Sequence, residues 1–358
     1  MKRRKNKIIS AALVFLLAFV VGIGQEKSTV DNFIFKTEVH VDLLLHALAH
    51  MDLGDDAANL YSEDYVKAIL EGKQTLGLKT DLKSKLDAIK DAFISDRGMG
   101  GLRMIDFLPF YIGDYEEFMA GLGWLAEDSE DHHQNRRLDS FKRYITRPEQ
   151  REFIRALAGV LDDEYRTFYR DYWKREQERL AEVKGQFEGF VRTNGGKLFS
   201  RVMRKEEKDA VVYLCLSMTR WGRGFSSSDR FGAAIKLPEK REEFLPGLIT
   251  AVHEMTHQFS DALVMKAEGM DRSQSDTAAG SEGYRVHMAS EYGVLYAEYL
   301  LFQRFLPEHL RDYLLFFSDD SDMGAKDKPT EELVKIFRAH IKLSDKSIEQ
   351  LAAYVDKL

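Results

Sequence analysis

The chain has 358 residues and a mass of 41.2 kDa, and 44% of its residues are hydrophobic and 31% are charged. This composition excludes a disordered or low-complexity protein, because such chains lack the apolar side chains that a buried core requires. The formal net charge of −7 argues against nucleic acid as a partner, since an acidic surface repels phosphate. The single cysteine, Cys215, excludes an intramolecular disulfide framework.

The N-terminus has the pattern of a secretory signal. Five basic residues between Lys2 and Lys7 precede an uncharged, largely apolar run over residues 8–24. The basic end of such a signal stays in the cytoplasm, so we expect the rest of the chain to be exported to the periplasm or the extracellular space. Small residues around Gly24 favour cleavage before Gln25. The run is also close to the shortest that spans a bilayer, so residues 8–24 could instead remain as a membrane anchor.

Residues 25–200 are predicted to form a helical domain. Apolar side chains recur there every three or four residues, as they do in amphipathic helices. The polar region from Asp128 to Lys208 predicts two long surface helices that are interrupted near Pro148, with a break at residues 194–196. The helices predicted before that region cover about 38–53, 62–72, 80–95 and 114–126.

Residues 201–358 are predicted to combine strands with helices. Two short runs are apolar and rich in strand-forming residues, and the segment Arg220–Arg230 between them is predicted as a loop. Two later segments have helical spacing, and Pro307 ends the second of them. The sequence therefore predicts a predominantly α-helical α+β fold in which a helical domain precedes one with a small sheet. The strands cover 210–218 and 231–237, and the helices 246–266 and 283–306.

One motif, in the helix 246–266, indicates a reaction. His253 and His257 are four residues apart, so both imidazoles project from one helix face and can bind one metal ion. Glu254 follows the first histidine, where its carboxylate can reach a water molecule on the metal. Zinc lowers the pKa of such a water to about 7, and the glutamate can then accept its proton. The spacing predicts a hydrolytic zinc site with Glu254 as catalytic base; the alternative is a helix with two surface histidines and a solvated carboxylate.

A catalytic zinc ion needs a third protein ligand and one open position. The metzincin arrangement is excluded, because Leu263 stands where its third histidine would be. The segment from Glu291 to Glu298 resembles the second ligand helix of the gluzincin metallopeptidases. It matches their pattern Glu-Gly-Leu-Ala-x-Tyr-x-Glu at both glutamates and at Tyr296, and its departures include Tyr292, where the family often has glycine, and Val294, where it has alanine.

This resemblance covers residues 210–306. It implies a zincin-like catalytic domain, Zn²⁺ as the cofactor, a peptide or protein substrate, and Glu291 as the third ligand. Glu282, in Ser-Glu-Gly, resembles the ligand position of other gluzincins and is the alternative third ligand. Glu298 is predicted either to orient a ligand histidine or to be an ordinary carboxylate on the helix face.

Two further assignments stay open. An oxyanion in such enzymes is stabilised by a tyrosine or histidine donor, and four residues lie in the right segment: Tyr284, His287, Tyr292 and Tyr296. His46 and His50 are also four residues apart, but alanine occupies the position of the base. We interpret that pair as structural, with a second metal site as the alternative.

The sequence thus predicts an exported zinc-dependent metallopeptidase. One alternative is a zinc-binding protein of the same fold that does not cleave peptides, which the presence of Glu254 disfavours. The other is an exported helical binding or adhesion protein in which the motif is accidental. Metal content separates the last alternative from the first two, and turnover separates those two from each other.

Overall fold

The computed structural model describes residues 33–51, 53, 60–78, 81–95, 102–128, 132–202, 209–226, 230–271, 281–318 and 325–358. The segment predicted as a signal or anchor, residues 1–24, lies outside these ranges. Within them, no helix is both long enough and apolar enough to cross a membrane. The architecture is predominantly helical with one small mixed sheet, as predicted for an α+β fold.

The helices of the first half follow the predicted order. A 3-10 segment, Leu102–Tyr111, lies between the third and fourth of them and contributes to the core. Their bounds are α1 Val39–His50, α2 Glu63–Thr75, α3 Leu82–Ser95, α4 Tyr115–Leu125, α5 Arg136–Lys142, α6 Pro148–Glu164, α7 Arg170–Phe190 and α8 Gly196–Val202.

The break predicted at residues 194–196 is wrong. Helices α6, α7 and α8 follow one another through two π-helical turns, Tyr165–Tyr169 and Val191–Gly195, so the chain stays helical from residue 148 to residue 202. Close packing explains the glycine there: a Cβ at Gly195 would lie 2.8 Å from Leu248 Cδ1. This glycine therefore allows two helices to approach closely instead of ending one.

The sheet has four strands in the order β1-β2-β4-β3. Strand β2 pairs in parallel with β1 on one side and with β4 on the other, and β3 pairs antiparallel with β4. Strand β3 is therefore an edge strand. The bounds are β1 Phe33–Lys36, β2 Asp209–Cys215, β3 Arg223–Ser226 and β4 Arg230–Lys236.

Two of these strands differ from the sequence prediction. Strand β3 lies inside the segment Arg220–Arg230, which was predicted as a loop because glycine, serine and arginine are poor strand formers. Strand β1 comes from the predicted helical domain, yet Phe33 pairs with Ala210. A four-residue strand gives no periodicity of its own, and only its partner makes it a strand. The domain boundary at residues 200 and 201 stays a prediction.

Two long helices of the second half pack against each other and against the sheet. They are α9, Phe244–Glu268, and α10, Glu282–Phe305, and both were predicted within two residues at each end. Helix α9 ends at Gly269, which adopts the left-handed conformation that favours glycine (φ 67°). The chain continues with α11 Leu310–Phe317, α12 Thr330–His340 and α13 Asp345–Val355.

A cluster of buried charged side chains lies in the helical half. Glu164, at the end of α6, accepts hydrogen bonds from His46 Nε2 at 3.1 Å and from Lys73 Nζ at 2.5 Å. The three side chains are at most 4% exposed, so the ammonium and carboxylate groups neutralise each other inside the core. Lys73 thus provides the positive charge that balances Glu164 beside His46. Because this charge is already supplied, the structural interpretation of the His46 and His50 pair is better supported than a second metal site.

Candidate metal centre

The two long helices bring three predicted ligands together. His253 and His257 lie one turn apart on α9, and Glu291 lies on the facing side of α10. His253 Nε2 is 3.4 Å from Glu291 Oε2, and His257 Nε2 is 3.6 Å from Glu291 Oε1. One ligand atom from each residue lies within 4.8 Å of the others, so this group could hold a metal ion.

The spacing of these atoms is compatible with a shared metal ion. With metal–ligand distances of about 2.0–2.2 Å, neighbouring ligand atoms of a tetrahedral zinc site lie roughly 3.3–3.6 Å apart. The two Nε2–carboxylate separations, 3.4 and 3.6 Å, are of that size, but they lead to different oxygens of Glu291. The two imidazoles and the carboxylate therefore fit a zinc ion by ligand type, and their separations are compatible with one.

The other nitrogen of each imidazole contacts a buried carboxylate. His253 Nδ1 lies 3.3 Å from Glu298 Oε2, and His257 Nδ1 lies 3.0 Å from Asp261 Oδ1. Ser290 donates a hydrogen bond to the same Asp261 oxygen at 2.6 Å. A carboxylate on Nδ1 fixes the tautomer and orients the Nε2 lone pair, an arrangement typical of metal-bound histidine. Both rings are thereby held with Nε2 towards Glu291.

Burial and close contacts between charged groups shift the pKa values of this site. Burial raises the pKa of Glu298 to about 7. Burial also opposes the charged form of Glu291, but its contacts with His253 and His257 outweigh that effect and bring its pKa to about 2. The pKa of His253 is raised well above its usual value: burial would lower it, but Glu291 and Glu298 both favour a positive ring. A positive charge among these carboxylates is thus stabilised.

The carboxylate of Glu254 rests against the backbone before and within the edge strand β3. A Cβ at Gly222 would lie 2.6 Å from Glu254 Cγ and 2.9 Å from Glu254 Oε1, and one at Gly224 would lie 3.0 Å from Glu254 Oε2. Both positions therefore need glycine to bring the chain this close to the carboxylate. Glu254 lies in the same cleft as His257 and Glu291 and is not in the ligand group.

The cleft has a volume of about 490 Å³, and both charged and aromatic side chains line it. One wall is aromatic and comes from both halves of the chain: Phe107, Phe225 and Phe231. Asp106, the neighbour of Phe107, pairs with Arg223 at 2.5 Å and so holds the 3-10 segment against β3. The helical half thereby contributes directly to the cleft.

The alternative third ligand and the four possible oxyanion donors lie in different parts of the structure. Glu282 is the first residue of α10, pairs with Arg285 at 2.8 Å and does not belong to the ligand group. Of the four residues considered as oxyanion donors, His287 lines the cleft, with Nδ1 3.7 Å from Glu291 Oε1. The three tyrosines are absent from its lining.

Sequence reasoning missed Asp261, Ser290 and the two glycines beside Glu254. Asp261 could have been found, because it is four residues after His257 and must share its helix face. Ser290 and Gly222 act through contacts between elements that are distant in sequence, and no local pattern marks them.

The chain matches no family model, no curated protein and no solved structure.

Proposed function

We propose that this protein is an exported zinc-dependent metallopeptidase of gluzincin type. The observation that carries the proposal is the convergence of two Nε2 atoms on the Glu291 carboxylate, 3.4 and 3.6 Å from its oxygens, with each Nδ1 beside a buried carboxylate. A site that served only to retain zinc would not require Glu254 in the same cleft. The local resemblance to gluzincins over residues 210–306, which rests on the same motif residues, agrees with it.

In this proposal each side chain has a separate task. His253, His257 and Glu291 hold the zinc ion, and Asp261 and Glu298 keep the two imidazoles in place. When bound, zinc supplies Lewis acidity, which polarises a peptide carbonyl and makes a water molecule more acidic. Glu254 accepts the proton of the attacking water and returns it to the amine that leaves.

The edge strand provides a place for an extended peptide. Strand β3 pairs only with β4 among the described strands, so its outer edge can form main-chain hydrogen bonds with a substrate. Gly224 in this strand lies against Glu254, so a peptide added to the edge would pass close to the base. We infer that the substrate is a peptide or an extended protein segment, and that residues 1–24 direct the chain out of the cytoplasm.

Zinc content and peptide cleavage test the proposal together. Protein from an exporting host, whose intact mass also gives its N-terminus, should contain about one zinc per chain and cleave members of a peptide library. His253→Ala should lose the metal, because it removes one of three ligands. Glu254→Gln should keep the metal and lose about 100-fold or more in kcat, the usual contribution of a general base.

Each alternative function has its own outcome. Zinc retained by the parent protein without any peptide cleavage would favour a metal-binding protein that does not hydrolyse peptides. Absence of zinc from the parent protein would favour a helical binding or adhesion protein. Parental turnover in Glu254→Gln would contradict the role given to this carboxylate.

A further inference from the structure

We propose that Arg220, which lines a neighbouring cavity and not the cleft itself, binds a carboxylate on the C-terminal side of the scissile bond. This inference rests on the proposed function and adds a substrate class to it: peptides with an acidic residue or a free C-terminus close to the cleaved bond. Four observations lead to it, and they concern the position of Arg220, its support, its charge and the direction of β3.

Arg220 lies immediately before the segment that contacts the base. Its carbonyl oxygen accepts a hydrogen bond from Thr250 Oγ1 at 2.7 Å. Thr250 is one helical turn before Glu254 on α9, and a Cβ at Gly222 would touch both of these side chains. The backbone of Arg220 is therefore fixed beside the catalytic helix, about one turn from the proposed base.

A series of aromatic ring contacts connects the metal centre with the guanidinium. The ring of His253 packs against Phe317, with centroids 5.3 Å apart, and Phe317 packs against Trp221 at 6.3 Å. The guanidinium of Arg220 lies 4.8 Å from the Trp221 ring and 5.8 Å from the Phe316 ring. These contacts hold a long side chain in one place, which lowers the entropy lost when it binds a ligand.

The charge of Arg220 is available to a ligand. The residue is exposed, and no carboxylate of the described residues pairs with it. It lines a cavity of about 320 Å³ beside α9 that shares no lining residue with the cleft, and Lys236, the other cation there, is bound by Glu243 at 2.9 Å. An arginine fork without an acidic partner suits a carboxylate, which it can bind through two parallel hydrogen bonds.

The direction of β3 determines which end of a peptide reaches this residue. The strand runs from Arg223 to Ser226, so Arg220 lies before its first residue. A peptide added antiparallel, the slightly more stable pairing, has its C-terminal part beside the start of the strand. The part that follows the cleaved bond is therefore the part that approaches Arg220.

A peptide series provides the test. The starting point is a neutral peptide that the parent enzyme cleaves, and glutamate, glutamine or lysine replaces each of the three residues after the cleaved bond in turn. We expect glutamate to exceed glutamine in kcat/KM by about fivefold at one of these positions, as for a partly exposed ion pair. The same replacements before the cleaved bond should show no such preference. Peptides with a free and an amidated C-terminus separate the main-chain carboxylate from the side chain.

Charge substitutions identify the residue. Arg220→Gln should abolish the glutamate preference, and Arg220→Glu should reverse it in favour of lysine. Arg170→Gln, on the exposed face of α7, is the matched control and should keep the parental preference. An unchanged preference in Arg220→Gln, or equal cleavage of acidic and neutral peptides by the parent, would overturn this inference and leave the proposed function standing. Cleavage of no peptide by a zinc-containing parent would contradict the proposed function as well.

Discussion

Glu282 and Glu291 both lie on α10, but they have different surroundings. Glu282 is on the first turn and pairs with Arg285, and its side chain is 45% exposed. Glu291 lies within the helix, faces both histidines of α9 and is less exposed. A carboxylate that is held within a helix loses less conformational entropy on binding a metal than one at the edge of a loop.

This difference gives a prediction for the third ligand. Glu291→Ala should lose bound zinc while keeping its helical circular dichroism, and Glu282→Ala should retain both. Metal analysis of the two purified variants makes the comparison. Loss of zinc from Glu282→Ala alone would move the site to the start of α10. If both variants keep their zinc, His287, which also lines the cleft, becomes the next ligand to test.

The two ligand helices owe their separation to one small residue. A Cβ at Gly293 on α10 would lie 2.5 Å from Val264 Cγ2 on α9. Valine is β-branched and stiff in a helix, so it cannot rotate away. Gly293 is two residues after Glu291, and Val264 is seven residues after His257. This tight contact is therefore close to Glu291 along α10 and two turns from His257 along α9.

We expect Gly293→Ala to push the helices apart. The overpacking should lower the free energy of unfolding by about 1–3 kcal/mol and weaken zinc binding. Gly185→Ala on α7 is the control, because nothing lies within 4 Å of its added Cβ, and it should stabilise the protein by about 0.5–1 kcal/mol. Denaturant unfolding and zinc titration measure both quantities. Equal effects of the two substitutions would contradict the role given to this contact.

Elements with a repeating pattern in their own sequence could be predicted, and elements that depend on distant partners could not. Helices α9 and α10 could be predicted because their apolar residues repeat over more than twenty positions, and the motif places two imidazoles on one face without reference to other elements. Strands β1 and β3 have four residues each and are defined by their partners. The helix through Gly195 was missed for a related reason, since its glycine serves a contact with Leu248, which is distant in sequence.

At the scale of the whole molecule, the buried histidines of α1 link stability to pH. His50 is 5% exposed, its Nδ1 donates to the carbonyl oxygen of His46, and its Nε2 has no hydrogen-bond partner among the described residues. Burial first, then the neighbouring His46 and Lys73, lower its pKa to about 3, against the opposing effect of Glu164. The unfolded chain therefore binds a proton between about pH 6.5 and pH 3 that the folded protein does not bind.

The stability that neutral His50 contributes is therefore present above pH 6.5 and is lost as the pH falls. From pH 7 to pH 5 this residue should cost about 2 kcal/mol of unfolding free energy. His50→Leu should therefore show a shallower loss over this interval than the parent, whatever its stability at pH 7. The comparison uses denaturant unfolding with a chelator present, so that release of zinc does not contribute.

His132→Leu serves as the control for the histidine substitution. Its side chain is 93% exposed and lies outside the buried histidine cluster of α1, so this substitution should keep the parental dependence on pH. Identical pH dependences of the parent and His50→Leu would contradict the argument. Asp42 acts in the opposite direction, because burial raises its pKa to about 7, which is why the difference between variants is the decisive quantity.

The pairing of β1 with β2 has a consequence for the order of folding. Phe33 leaves the ribosome long before Ala210, its partner, has been synthesised. The first strand must therefore remain without its partner while α1 to α8 form, and closing so long a loop has a large entropic cost unless those helices have already packed. We infer that the sheet is completed late, after the helical half has collapsed, and that the cleft becomes functional only in this last stage.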